Sequence, residues 1–123
     1  MYDELACIAQ EEFGDIVNAA RVFHRRTATP LKLRLLIRDG TFVDIWLSPE
    51  GSRYAYHWEQ RAVRGLIHCH DNAPDHPEIS TFPKHFHDGR EDIVKPSDIS
   101  DDPPTALREH LTLVRERLQS LDE

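Results

Sequence analysis

Cysteine is scarce in this chain: Cys7 and Cys69 are the two among 123 residues, and no C-x-x-C spacing occurs. Such a pair supplies neither a disulfide framework nor a thiolate metal knuckle, so free thiols in a reducing compartment are expected. Long apolar runs are missing as well. No stretch can span a bilayer, and Met1 to Gln10 carries acids where a secretory signal has a basic start and an apolar centre, which predicts a cytoplasmic protein without membrane contact. There is no Walker motif, dinucleotide glycine fingerprint, G-x-S-x-G elbow or zinc-finger spacing, and no cofactor is called for. A basic excess is also lacking. The 22 acidic side chains outnumber 15 Lys and Arg for a formal net charge of −7, against the broad positive surface that dominates non-specific nucleic-acid binding.

What is present is enough apolar material for a core. With 39% hydrophobic and 30% charged residues the disordered class does not apply, and the length fits one domain spanning 1–123. Charge is segregated: residues 1–20 hold five acids and no Lys or Arg, 21–64 hold nine basic against four acidic, and 65–123 hold six against thirteen. The central segment is thus locally positive between acidic flanks.

The pattern of elements predicts an α+β domain, with an antiparallel β-meander of four or more strands, a short N-terminal helix and a C-terminal helix packed on the sheet. Asp3 is placed to cap the first helix, whose Leu5, Ile8, Ala9 and Phe13 fall at helical spacing before Gly14. Residues 15–24 carry both helical and strand signals and lean to strand. Leu31, Leu33, Leu35 and Ile37 alternate with Lys32, Arg34 and Arg38, so this is a half-buried strand. A three-residue turn of Arg38-Asp39-Gly40 pairs Leu35 with Val43, Leu33 with Ile45 and Arg34 with Asp44, which satisfies both faces; a two-residue turn would put Asp44 in the apolar row. Pro49-Glu50-Gly51 predicts a second hairpin, with Trp46 opposite Tyr54 and Phe42 opposite Trp58. On that register one face is aliphatic (Leu33, Leu35, Val43, Ile45, Leu47, Ala55). The other collects Phe42, Trp46, Tyr54, Tyr56 and Trp58 beside Lys32, Arg34 and Asp44, either as a base-stacking surface or as a second core. A fourth strand covers Val63 to Asp71 after a turn near Gln60-Arg61. From residue 72 to 102 the prolines exclude long helices and an irregular His- and Pro-rich loop is expected. Asp102 caps a helix with Pro103 in its first turn and a stripe of Leu107, Leu111, Val114, Leu118 and Leu121.

Six of the eight histidines lie between His57 and His87. Imidazole titrates near neutrality and is the commonest transition-metal ligand, so a cluster of this density points to proton transfer or to metal binding. In the first reading two histidines cleave a phosphodiester without metal. His70 and His87 are the expected acid–base pair, with His57 and His85 close by, Asp71 or Asp88 orienting an imidazole, and Lys84, Arg64 or Arg90 steadying the phosphate. Tyr54, Tyr56, Trp58, Arg34, Arg64 and Asn72 are the expected substrate contacts. In the second, His68, His70, His85 and His87 gather a metal ion through paired H-x-H spacings. A third reading makes them surface histidines, with His57 a hydrogen-bonded core residue.

Four stretches carry a family resemblance: Leu35-Leu36-Ile37-Arg38-Asp39-Gly40-Thr41-Phe42-Val43-Asp44; Tyr54-Ala55-Tyr56-His57-Trp58; His70-Asp71-Asn72-Ala73-Pro74 with His76; and Thr81-Phe82-Pro83-Lys84-His85-Phe86-His87. In this order and spacing the chain resembles the TumE-type toxins of prokaryotic toxin–antitoxin pairs, from about Leu31 to the final helix. The resemblance implies a growth-inhibiting protein neutralised by a cognate antitoxin, typically a helix-turn-helix DNA-binding protein. It does not carry a molecular target, so RNA as substrate is a physical expectation from the histidines alone. A non-enzymatic partner-binding module is the alternative, and a homo-oligomer is compatible with either.

Overall fold

The computed structural model describes residues 1–123. Helix α1 (Tyr2–Glu12) leads into strands β1 (Val17–His24), β2 (Pro30–Ile37), β3 (Phe42–Leu47) and β4 (Tyr54–Gln60). A helical turn α2 (Arg61–Arg64) then precedes β5 (Leu66–Asp71), β6 (His85–Gly89), β7 (Val94–Pro96) and the long helix α3 (Pro103–Leu121). The seven strands form one sheet in chain order with every neighbouring pair antiparallel. The expected α+β meander is therefore present, and residues 17–24 are strand. No helix is long and apolar enough to cross a membrane.

The β2–β3 hairpin has the register that its two faces require. Leu35 faces Val43, Leu33 faces Ile45 and Arg34 faces Asp44, with Gly40 left-handed at φ +89°. Arg34 donates to both carboxylate oxygens of Asp44 at 2.8 and 3.0 Å, and Lys32 adds a third contact at 3.0 Å. The next hairpin differs from expectation by one residue: Leu47, not Trp46, faces Tyr54, and Val43 faces Trp58. Ser48 and Arg53 close a longer loop, since the Arg53 N–H donates to Ser48 Oγ at 2.9 Å. Because side chains alternate, that slip turns Tyr54, Tyr56 and Trp58 onto the helix-covered face and leaves Ala55 and His57 on the other. Burying three large aromatics against α3 is what favours this register.

Helices α1 and α3 cover one face of the sheet. The core joins Leu5, Ala9 and Phe13 to the inward rows of β2, β3 and β4 and to Leu107, Leu111, Val114 and Leu118. Asp102 caps α3 as expected, its Oδ2 accepting from the Thr105 N–H at 3.2 Å, but Leu121 lies exposed at the last turn, and Ala106 and His110 complete the buried seam. Asp3 is not the cap of α1: the helix starts at Tyr2 with Met1 at the N-cap, so Asp3 lies in the first turn beside Glu4, where the helix dipole favours it. Strand β5 starts at Leu66 rather than Val63, because Arg61–Arg64 close a helical turn that ends at left-handed Gly65. The expected loop from 72 to 102 is wrong over two stretches, since β6 and β7 extend the sheet there. Their pairing partners lie on the neighbouring strands, a long-range term that local periodicity does not register.

Candidate functional site

The face that α1 and α3 leave uncovered is built by register. Cross-strand partners carry one row over it: Arg21, Arg34, Asp44, His57, Cys69 and His87, on β1 to β6 in order. Next to that row stand Asp71 and its partner His85. The cationic end of the row stacks on aromatics, with the Arg34 guanidinium 3.9 Å from the Phe42 ring centroid and 4.9 Å from that of Phe23. Burial pushes the Asp44 carboxyl up, but the hydrogen bonds from Arg34 and Lys32 outweigh it and hold it below the ordinary range.

At the other end three imidazoles meet. His85 and His87 come from β6 at positions i and i+2, and His76 descends from the connection between β5 and β6, with ring centroids 4.7 Å from His85 and 5.8 Å from His87. His85 is buried, whereas His76 and His87 are half-buried. Each ring is anchored through Nδ1: His85 on the Pro83 carbonyl at 3.1 Å, His87 on the Glu91 carbonyl at 2.9 Å, and His76 on Glu78 Oε1 at 3.3 Å. A carbonyl oxygen only accepts, so Nδ1 of His85 and of His87 donates. Their Nε2 atoms turn to Asp71, at 3.0 Å from Oδ1 for His85 and 3.6 Å from Oδ2 for His87. Asp71 Oδ1 also accepts from the Ala73 N–H at 2.9 Å, which fixes the carboxylate. Between His57 and His87 lies the Cys69 thiol, pushed up by burial and by the Asp71 charge and so unsuited to act as a nucleophile. His57 is not a core residue: it lies half-buried on the open face with Nε2 3.0 Å from Glu59 Oε1.

The structure separates the expected acid–base pair. His70 is on the helix side of β5, where its partner on β6 is Phe86, while His87 partners Cys69 on the open side. Nδ1 of His70 is 2.7 Å from Ser97 Oγ, its ring stacks on Phe86 at 4.3 Å, and burial pulls its pKa down to about 4. The expected four-histidine metal set is split in the same way, with His68 and His70 on one face and His85 and His87 on the other. His68 is a satisfied interior residue: Nδ1 accepts from Gln60 Nε2 at 2.7 Å, Nε2 lies 3.5 Å from Asp88 Oδ1, and burial lowers its pKa.

The expected substrate contacts are occupied with the fold. Tyr54, Tyr56 and Trp58 are buried in the core and form no stacking surface. Asn72 accepts from the Tyr54 N–H at 3.0 Å and donates to the Ser52 carbonyl at 2.7 Å, tying β4 to the end of β5. Arg64 pairs with Asp39 and Gln60, and Lys84 reaches the Ile99 carbonyl at 2.8 Å and Asp101 at 2.9 Å. Arg90 pairs with Asp92, and Asp88 with Lys95 on the helix side. His76 carried no role in the sequence reading, although its place in the histidine run was visible. His110 was missed too, despite standing three residues from Leu107 in the apolar seam of α3.

A family model described as Toxin TumE matches residues 5–118, nearly the whole chain. No curated protein and no solved structure matches.

Proposed function

The chain belongs to the TumE toxin family; from that membership we propose that it is the toxin of a toxin–antitoxin pair, and from the histidines of the open sheet face alone that it cleaves RNA there. The observation that carries the chemistry is the convergence of His85 and His87 on Asp71, in register with His57 two strands away. Two strand spacings put the His57 and His87 backbones about 10 Å apart, which leaves room for a phosphodiester between their side chains. One imidazole takes the proton of a ribose 2′-hydroxyl, the 2′-oxygen attacks phosphorus, and the bond to the 5′-oxygen breaks as the second imidazole donates a proton to it. Glu59 steadies His57 and the Glu91 carbonyl steadies His87, so each ring keeps one orientation. No metal is needed for these steps. Arg34 stands in the same cross-strand row two strands beyond His57, where a neighbouring phosphate of such a substrate would meet it beside Asp44.

The antitoxin that this family implies fits the helix-turn-helix type in this reading, both proteins meeting in the cytoplasm, with RNA as the toxin's other partner. The net charge of −7 and the neutralisation of Arg34 and Lys32 by Asp44 favour a second reading, in which the open face receives the antitoxin and breaks no bond. Labelled RNA incubated with the purified chain in chelator separates the two. Cleavage by the native protein, lost by roughly a hundred- to ten-thousand-fold in His57→Ala and His87→Ala and kept in folded His70→Ala, is the expected result. No cleavage under conditions where expression of the chain halts growth would overturn the ribonuclease reading. Normal growth at high expression of folded protein, with no relief to be had from the adjacent reading frame, would count against the toxin role itself.

A further inference from the structure

We propose that His76, His85 and His87 bind a divalent transition-metal ion of the zinc class, with the Asp71 carboxylate beside the fourth position. Each of the three histidines offers one ring nitrogen, and all three nitrogens lie within 4.8 Å of one another. A tetrahedral zinc with Zn–N bonds of about 2.0–2.1 Å holds its ligand atoms roughly 3.4 Å apart, so the trio has to contract by little more than 1 Å. His76 supplies that movement, since it sits outside the strands, half-buried, while His85 and His87 are fixed on β6.

The second line of argument is the set of contacts behind the rings. Ligand histidines nearly always donate the ring N–H remote from the metal to a carbonyl or carboxylate, which fixes both tautomer and orientation. All three rings here have such a partner on Nδ1, namely the Pro83 carbonyl, the Glu91 carbonyl and Glu78. That leaves Nε2 of His85 and of His87 turned to the carboxylate of Asp71, at 3.0 and 3.6 Å. An imidazole nitrogen facing a carboxylate needs a shared cation, a proton or a metal ion, and those separations also suit two ligands of one tetrahedral ion. Imidazole with one carboxylate suits zinc, copper, nickel or iron, and not the all-oxygen preference of calcium or magnesium.

The ion binds whether or not the chain cleaves RNA, so the test begins without RNA. Zinc(II) alone is titrated into the full chain against a chromophoric chelator at pH 7.5. One equivalent should bind, and His87→Ala and His76→Ala, both at half-buried positions, should each weaken it at least ~10-fold, as disturbance of a metal site commonly does. His85→Ala should do the same, but its burial makes folding a concern, so the first two variants decide. His24→Ala and His57→Ala should bind as the native protein does. Cobalt(II) in place of zinc should give visible d–d absorption that His87→Ala lacks. Absence of stoichiometric binding, or equal affinity in His76→Ala and His87→Ala, would overturn the site. Zinc on His87 occupies the lone pair that proton transfer needs, so zinc should inhibit RNA cleavage and chelator restore it. Stimulation by zinc would leave the metal site standing and overturn the acid–base assignment above, whereas zinc binding without any cleavage would remove the ribonuclease reading alone.

Discussion

Replacing His110 with leucine should stabilise the protein. The ring is fully enclosed on α3, with the Tyr56 ring centroid at 6.3 Å and that of His70 at 5.7 Å, and neither of its nitrogens has a hydrogen-bond partner. An unsatisfied buried polar group costs about 1–3 kcal/mol, and leucine removes two such atoms with little change of volume, so a net gain of about 1–3 kcal/mol is expected after imperfect repacking is discounted. For a domain of this size that corresponds to a rise in Tm of roughly 4–12 °C. The gain should also depend on pH. Burial first, and the neighbouring His70 second, hold the His110 pKa well below 6.5. Above about 6.5 the ring is neutral in both states and contributes no slope; below it the unfolded chain takes up a proton that the folded chain refuses. The native protein therefore loses about 1.4 kcal/mol per pH unit on this account as the pH falls, and His110→Leu does not. Urea denaturation of both proteins at pH 8, 7, 6 and 5 measures the difference. A variant less stable than the native chain at pH 8, or a stability gap that stays constant down to pH 5, would refute the reasoning.

Two further substitutions test the packing that supports the site. Thr41→Val removes the acceptor of the Trp58 indole N–H, a 2.8 Å bond inside the core, and should cost about 1–3 kcal/mol in urea denaturation, with a loss under 0.5 kcal/mol counting against a structural role for that bond. Asp102→Ala takes away the N-cap of α3 and should cost about 1 kcal/mol, read as a lowered Tm, while Asp102→Asn should retain most of it.

The β2–β3 hairpin was legible in the sequence because two constraints, an apolar row and the Arg34–Asp44 pair, select one register between them. Only the turn motif guided the following hairpin, and a motif leaves register open by one residue. That single slip reassigned Tyr54, Tyr56 and Trp58 from an open face to the core. The histidine density pointed to the stretch in which His76, His85 and His87 come together, but the pairing of His70 with His87 failed because β6 was not recognised as a strand. Once Cys69 faces His87, parity sends His70 to the opposite side. The carbonyls of Pro83 and Glu91 lay beyond reach, since a backbone oxygen has no sequence signature and its role arises when β6 aligns with β5.

The strictly sequential order of the strands has a kinetic meaning. Every strand pairs with its neighbour in the chain, so the sheet can zip hairpin by hairpin with short loop closures, and relative contact order stays low for so large a β-sheet. The expensive closure is the docking of α1 against α3, fastened by Arg108 on Glu12 at 2.8 and 2.9 Å and Arg115 on Asp15 at 2.6 and 2.9 Å. Folding should thus end where the two helices meet, and weakening that joint should speed unfolding far more than it slows folding.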